Sequence, residues 1–179
     1  MLKITVSGPP GSGTSTLVRG ICKRTGWKSV NGGDVFRTHA KNVGLTVEEF
    51  SKLCREDLEV DRGLDESLKS LMREDSGPEV IESRLSGWWA KEISVQIPRL
   101  HISTSIEERG RRLAKRDGGT YEENLKRAMN RHKDDSHRYM ELYGIDLADM
   151  TPYTHVIEAD DLEEYEVLEL ALDILGVRE

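Results

Sequence analysis

Cysteine is nearly absent from this chain: Cys22 and Cys54 are the only two in 179 residues. Two thiols make neither a disulfide framework nor a metal cluster. Both fall within helical patterns and read as small core residues of a reduced, cytoplasmic protein. Long hydrophobic runs are missing too. No stretch approaches the roughly 18 apolar residues that a bilayer-spanning helix needs. An apolar strand begins at Leu2, so no secretory signal is expected. Positive charge is in deficit, with 26 Lys and Arg against 33 Asp and Glu, a net charge of -7. That balance excludes a general binder of nucleic acid or of anionic membrane. Internal repeats, low-complexity tracts and linkers are absent as well. What is left is a polar globular mixture, 36% hydrophobic and 33% charged, long enough for one domain with a substantial core.

Ile4–Thr16 runs an apolar strand into a glycine-spaced loop and then into a helix start. Gly8, Gly13 and Ser15 fit the phosphate-binding template G-x-x-x-x-G-K-[ST] at every fixed position but one, where Thr14 replaces lysine. Glycines let such a loop wrap an oxyanion with its N–H groups turned inward. The helix N-terminus adds unpaired donors and the positive end of the helix dipole. Gly8, Pro9, Pro10, Gly11, Ser12, Gly13, Thr14, Ser15 and Thr16 are therefore the expected cradle for a nucleoside triphosphate. Ser15 is the expected protein ligand of Mg²⁺, through its hydroxyl. An ordinary Gly-Pro turn is the plain alternative, but strand, loop and helix arrive in the order the chemistry requires.

Further strands are predicted at Trp27–Val30, Glu79–Glu82, Leu100–Ser103 and His155–Glu158, after a first at Lys3–Val6. Helices are predicted over Thr14–Arg24 and Glu163–Leu175, and capping boxes at Thr46…Glu49, Ser105…Glu108 and Thr120…Glu123. Strands alternating with helices imply an α/β fold, a parallel sheet covered on both faces. Two long helical segments, Val35–Met72 and Thr120–Tyr143, have no adjoining strand and are expected to project over the sheet's carboxyl edge, where open α/β sheets bind ligands.

Charge is uneven along the chain. Between Arg109 and Arg138 ten basic residues face five acidic ones, a local +5, which suits steering of a small polyanion. Arg131, Asp135 and Arg138 stand at i, i+4 and i+7, on one helical face. Arg109, Arg112 and Arg116 form a second row, of which Arg116 is the expected contact to ATP. His39, His101, His132, His137 and His155 share no metal-ligand spacing. Trp88 and Trp89 are adjacent, so at most one faces a site, and both read as packing.

Four segments together resemble the archaeal-type cytidylate kinases: the loop Ser7–Thr16, Gly33-Asp34-Val35-Phe36-Arg37, Arg84-Leu85-Ser86-Gly87-Trp88 and Tyr143-Gly144-Ile145-Asp146. Threonine in the lysine slot is itself typical of that family. The resemblance implies a P-loop nucleoside monophosphate kinase with a five-stranded parallel sheet, helices on both faces, a monophosphate-binding insertion and a helical lid. In one kinase domain, 1–179, it assigns the core to 1–32, 73–117 and 146–179, the insertion to about 33–72 and the lid to about 118–145. The pattern R-x-x-x-D-x-x-R also resembles the lid of bacterial cytidylate kinases. It implies that Arg131 and Arg138 bridge the two phosphates, with Asp135 orienting one of them or meeting the acceptor's sugar. Arg37 and Arg84 are implied at the acceptor phosphate, and Asp61 and Asp65 at the cytosine amino group or the ribose. Glu82 would orient Arg84 or meet a water on Mg²⁺. The chain departs from the pattern at Ser83, Thr154, His132 and Lys133.

The implied function is transfer of the γ-phosphoryl group of ATP to CMP or dCMP by a cytoplasmic monomer whose partners are small nucleotides, not nucleic acid or membrane. Another small P-loop kinase, acting on UMP, AMP or a shikimate-like alcohol, is the enzymatic alternative. An alcohol acceptor calls for an acid beside its hydroxyl and for fewer arginines. A nucleotide-dependent switch without enzymatic turnover is the other alternative. It calls for a water-positioning residue and an apolar docking patch.

Overall fold

In the computed structural model the chain is described over residues 1–177, the side chains at 47, 48, 51, 55 and 56 excepted. Five strands, β1 Ile4–Ser7, β2 Ser29–Asn31, β3 Val80–Glu82, β4 Arg99–Ser103 and β5 His155–Glu158, form one sheet in the order β2-β3-β1-β4-β5. Every neighbouring pair is parallel, so each connection crosses over through helix. The helices are α1 Thr14–Thr25, α2 Gly32–Asn42, α3 Val47–Glu56, α4 Leu58–Arg73, α5 Ser86–Glu92, α6 Ile106–Asp117, α7 Tyr121–Tyr143 and α8 Glu164–Leu175.

β1 holds the centre because all four of its residues are buried. Ile4 and Val6 point to one face, where they pack with Val80, Leu100 and Ile102 against Leu17, Val18 and Ile21 of α1 and Ala171 of α8. On the other face Ile81, Leu85 and Trp89 meet Leu68 of α4 and Tyr139 of α7. Segment 33–72 has a small core of its own, in which Ala40, Phe50, Cys54 and Leu64 gather and the Phe36 and Phe50 rings meet edge to face at 4.9 Å.

Two readings of the sequence need correction. The second strand lies at Ser29–Asn31 instead of Trp27–Val30, since only those residues register with Val80–Glu82. Asn31 ends that strand and accepts from Gly33 N to cap α2 at once. Ser105 accepts from Glu108 N, but the Glu108 carboxylate turns to Arg111 and Arg112, so that capping box is half made. The boxes at Thr46 and Thr120 form in full, and an unanticipated one joins Glu163 to Glu166.

The carboxyl ends of β1, β3 and β4 open on a common edge. β1 has β3 on one side and β4 on the other, so the loop 8–13 stands over the crevice at the sheet's switch point. Backbone crowding near this edge is severe at Gly87, where a Cβ would lie 2.3 Å from Cε1 of Tyr153. That ring already lies tilted against His101, with the ring centroids 4.7 Å apart. Gly87→Ala is expected to destabilise the fold by about 1–3 kcal/mol, read from the urea unfolding midpoint. An unchanged midpoint would show that the ring swings aside freely.

Candidate active site

The loop is shaped by its glycines and left open at its helix end. Gly13, at φ 96° and ψ 6°, is the N-cap of α1, with no side chain capping the first turn; the N–H donors there are open to a ligand. Beside them lies Glu82, the last residue of β3 and 7% exposed. Its Oε1 accepts from Thr14 Oγ1 at 2.6 Å and from Ser15 Oγ at 2.8 Å, and its Oε2 from Asn31 Nδ2 at 2.7 Å. Glu82 thus holds the loop hydroxyls, and among the described residues it forms no hydrogen bond or ion pair with Arg84, the partner offered for it by sequence.

Next to the loop the chain buries cations. Arg84 follows β3 with its side chain 11% exposed, and Arg109 of α6 is 3% exposed. Arg84 Nε is 3.7 Å from Asp135 Oδ2, and Arg84 Nη2 meets His132 Nδ1 at 3.4 Å. Among the described residues neither Arg84 Nε nor Arg109 Nε has a hydrogen-bond partner, and Ser12 Oγ, Ser83 Oγ and Thr104 Oγ1 are also buried without one. Burial lowers the pKa of both guanidiniums, and the charge of Arg84 lowers that of Arg109 further. The same causes act on the neighbouring imidazoles. Burial and then Arg84 push His101 down to about 4, and burial, Arg84 and Arg109 lower His132. A pocket of unspent donors under positive potential is a receptor for an anion.

The α6 row reaches the loop through a different member from the one expected. Arg112 donates from Nη1 to Ser12 O at 3.1 Å and from Nη2 to Ala159 O, while Glu108 holds its Nε at 2.9 Å. Arg116 pairs instead with its neighbour Asp117 at 2.6 Å and is exposed. A carboxylate one residue away holds Arg116 in this structure.

The remaining expected residues fall into two groups. Arg138 Nη1 stands 3.4 Å from Asp61 Oδ2 and its Nη2 3.4 Å from Asp135 Oδ1, so α4, α7 and, through Asp135, Arg84 share one ionic chain. Arg131 and Arg37 stay outside it: Arg131 is exposed, and Arg37 pairs with Asp34 at 2.6 Å. Of the departures from the family pattern, Thr154 caps the sheet by accepting from Arg99 N at 2.8 Å. Ser83 sits against Gly32.

Sequence reasoning passed over Trp89, Tyr143 and His132 as polar partners. Tyr143 Oη donates to Asp65 Oδ2 at 2.7 Å and Trp89 Nε1 to Asp65 Oδ1 at 3.1 Å. The one available signal was Asp65 itself, an acid on the face of α4 that carries Leu64 and Leu68 inward.

A model of the AAA domain family matches residues 7–138. The cytidylate kinase of Archaeoglobus fulgidus is 35% identical over 177 residues, covering 99% of this chain and 96% of that protein. The cytidylate kinase of Thermococcus kodakarensis is 40% identical over 156 residues, or 87% and 78% of the two chains. The chain belongs to the cytidylate kinase family. It is accordingly a nucleotide-binding kinase, a transferase that uses ATP. Among solved structures, a shikimate kinase from Bacteroides thetaiotaomicron matches with a TM-score of 0.61 and 14% identity over 98% of both chains, a likeness of fold alone. Among the described residues no helix is long and apolar enough to cross a membrane. No group of three or more His, Cys, Asp or Glu side chains among them could hold a metal ion.

Asp65 gives the site a pH signature. Burial raises its carboxyl to about 6, against the pull of its bonds from Tyr143 and Trp89, whereas the unfolded carboxyl titrates near about 3.9. Between those values the folded state binds more protons, so this group's contribution to stability is lost as pH rises through the window. Asp65→Asn is expected to gain stability relative to wild type from pH 4 to pH 7 in urea titrations. A difference that stays flat with pH would return Asp65 to an ordinary carboxyl.

Proposed function

We propose that the chain transfers the γ-phosphoryl group of ATP to CMP or dCMP, giving ADP and the diphosphate. The observation that carries this reading is the pair of buried guanidiniums, Arg84 and Arg109, each with an Nε that makes no hydrogen bond, beside an open phosphate loop. Family membership supports the cytidylate as acceptor. The reaction belongs to pyrimidine nucleotide metabolism in the cytoplasm, and the chain works as a monomer.

In this reading segment 33–72 is the acceptor insertion, 118–145 the lid, and 1–32, 73–117 and 146–179 the core. Residues Gly8–Thr16 hold the triphosphate through backbone N–H groups. The acceptor phosphate oxygen is already ionised, so the reaction needs no strong base. It needs two anions held in line, water excluded, and positive charge around the migrating group. Arg84 and Arg37 hold the acceptor phosphate, Arg109 and Arg112 bring charge to the donor side, and Arg131 and Arg138 come over from the lid. Guanidinium suits each place because its planar fork grips phosphate oxygens and stays charged. Asp61, Asp65 and Asp135 offer acceptors to the cytosine amino group and the ribose hydroxyls.

The donor set at the loop fits Mg²⁺. Ser15 Oγ and the Glu82 carboxylate are hard oxygens lying 2.8 Å apart, and Mg²⁺ takes one or two protein oxygens with phosphate and water completing its shell. Ser15 and Glu82 would hold the ion, which when bound offsets charge on the β- and γ-phosphates.

ADP release measured with CMP, dCMP, UMP and AMP is expected to be fastest with a cytidylate, and Arg84→Ala to lower kcat/KM for CMP at least about 100-fold, roughly 2.7 kcal/mol. A tenfold preference for AMP, or a wild-type rate in the variant, would overturn the assignment. Thr14→Lys is expected to leave kcat no higher, because the new ammonium lies against Glu82 and is spent on that carboxylate. A large rise in kcat would show that the natural loop is short of charge.

A further inference from the structure

The two arginines of the α7 ladder are in different states. Arg131 is exposed, with no hydrogen bond or ion pair among the described residues. Arg138 is engaged on every side. Asp61 and Asp135 each lie 3.4 Å away, Arg138 Nη2 donates to Tyr139 Oη at 2.8 Å, and the guanidinium lies 4.6 Å above the Tyr139 ring. Asp61 is 5% exposed and comes from α4, a separate layer of the molecule.

Two features of this contact point to an exchangeable partner. Its ionic distances of 3.4–3.5 Å exceed the about 2.7–2.9 Å of a strong charge-assisted hydrogen bond, so a phosphate oxygen can approach Arg138 more closely than Asp61 does. Asp61 Oδ2 is buried without a hydrogen bond, which leaves it capacity for a donor on the acceptor. The end of α7 is also tied to α4 independently, by Tyr143 to Asp65 at 2.7 Å and by Arg62 Nη2 to Leu142 O at 3.5 Å. Loss of the Asp61 charge therefore removes the ionic tie of Arg138 to α4 without undocking the helix, and leaves Arg138 only its contacts within α7, to Asp135 and Tyr139.

We propose that Asp61 is a positioning residue that parks Arg138 on α4 while the acceptor site is empty, and so suppresses hydrolysis of ATP bound alone. The proposal rests on the kinase reading given above. In the suppressed reaction a water oxygen bonds to the γ-phosphorus, the bond to the β–γ bridging oxygen breaks, and ADP, phosphate and a proton leave. Arg138 would stabilise that transition state as readily as the productive one. A nucleoside monophosphate brings amino or hydroxyl donors to Asp61, and Arg138 is then released to the phosphates.

The test is ADP release from Mg-ATP with no acceptor present. Asp61→Asn is expected to raise it tenfold or more, Asp61→Glu to keep it low, and Asp61→Asn with Arg138→Ala to return it to the wild-type level. A rate in Asp61→Asn at or below wild type, or a rise that persists in the double variant, would overturn the proposal. A second measurement uses the wild type alone. The Arg138 Nε resonance is expected to hold its position with a non-hydrolysable ATP analogue and to move when CMP is added, and movement with the analogue alone would overturn the proposal. The two readings fail separately. A wild type that ignores CMP overturns the kinase reading and this proposal with it. A wild type that responds to CMP beside a silent Asp61→Asn overturns this proposal alone.

Discussion

Cations held out of water at the carboxyl edge of β1 and β3 are the constraint on which the rest of this structure depends. A buried guanidinium is costly unless it is paired and hydrogen-bonded. Arg84 has one loose carboxylate, and Arg109 lies in its repulsive field. The sheet makes the arrangement tolerable. β3 ends at Glu82 with Arg84 two residues on, α6 brings Arg109 in from beyond β4, and the packed faces leave Arg109 almost no contact with solvent and Arg84 little. An anion settling there gains contacts that the empty protein forgoes, and that difference is what binding draws on.

The missing lysine fits the same picture. With Thr14 in its place, the loop presents two hydroxyls to Glu82 and keeps that carboxylate free of a fixed countercharge. Positive charge comes instead from α6 and α7, elements that are joined by the Gly118–Gly119 turn and pack along each other. α7 then runs on to meet α4 through Arg138 and Tyr143. One helix therefore touches both Arg84 at the end of β3 and the acids Asp61 and Asp65 of α4, and its charges have partners on each.

Much of the fold was legible because its signals are local. The apolar run at β1, the glycines of the loop and the full capping boxes at Thr46 and Thr120 all act within a few residues of themselves. Strand two was displaced because its bounds are set by the register with β3, a partner some fifty residues away. The place of Arg116 was hidden for a related reason. Helical spacing puts Arg109, Arg112 and Arg116 on one face, but which of them reaches the loop depends on Asp117 capturing one and on Ser12 and Ala159 receiving another.

Sequence alone determined that there is a phosphate loop, that it lacks its lysine, that strands and helices alternate, and that arginines crowd the segment 109–138, since each is written in residue type and spacing. Only the tertiary structure decided which charges are buried together. Glu82 with Thr14 and Ser15, Asp65 with Trp89 and Tyr143, and Asp61 with Arg138 each join residues far apart in the chain. Their pairing follows from exclusion of water, which no local pattern records.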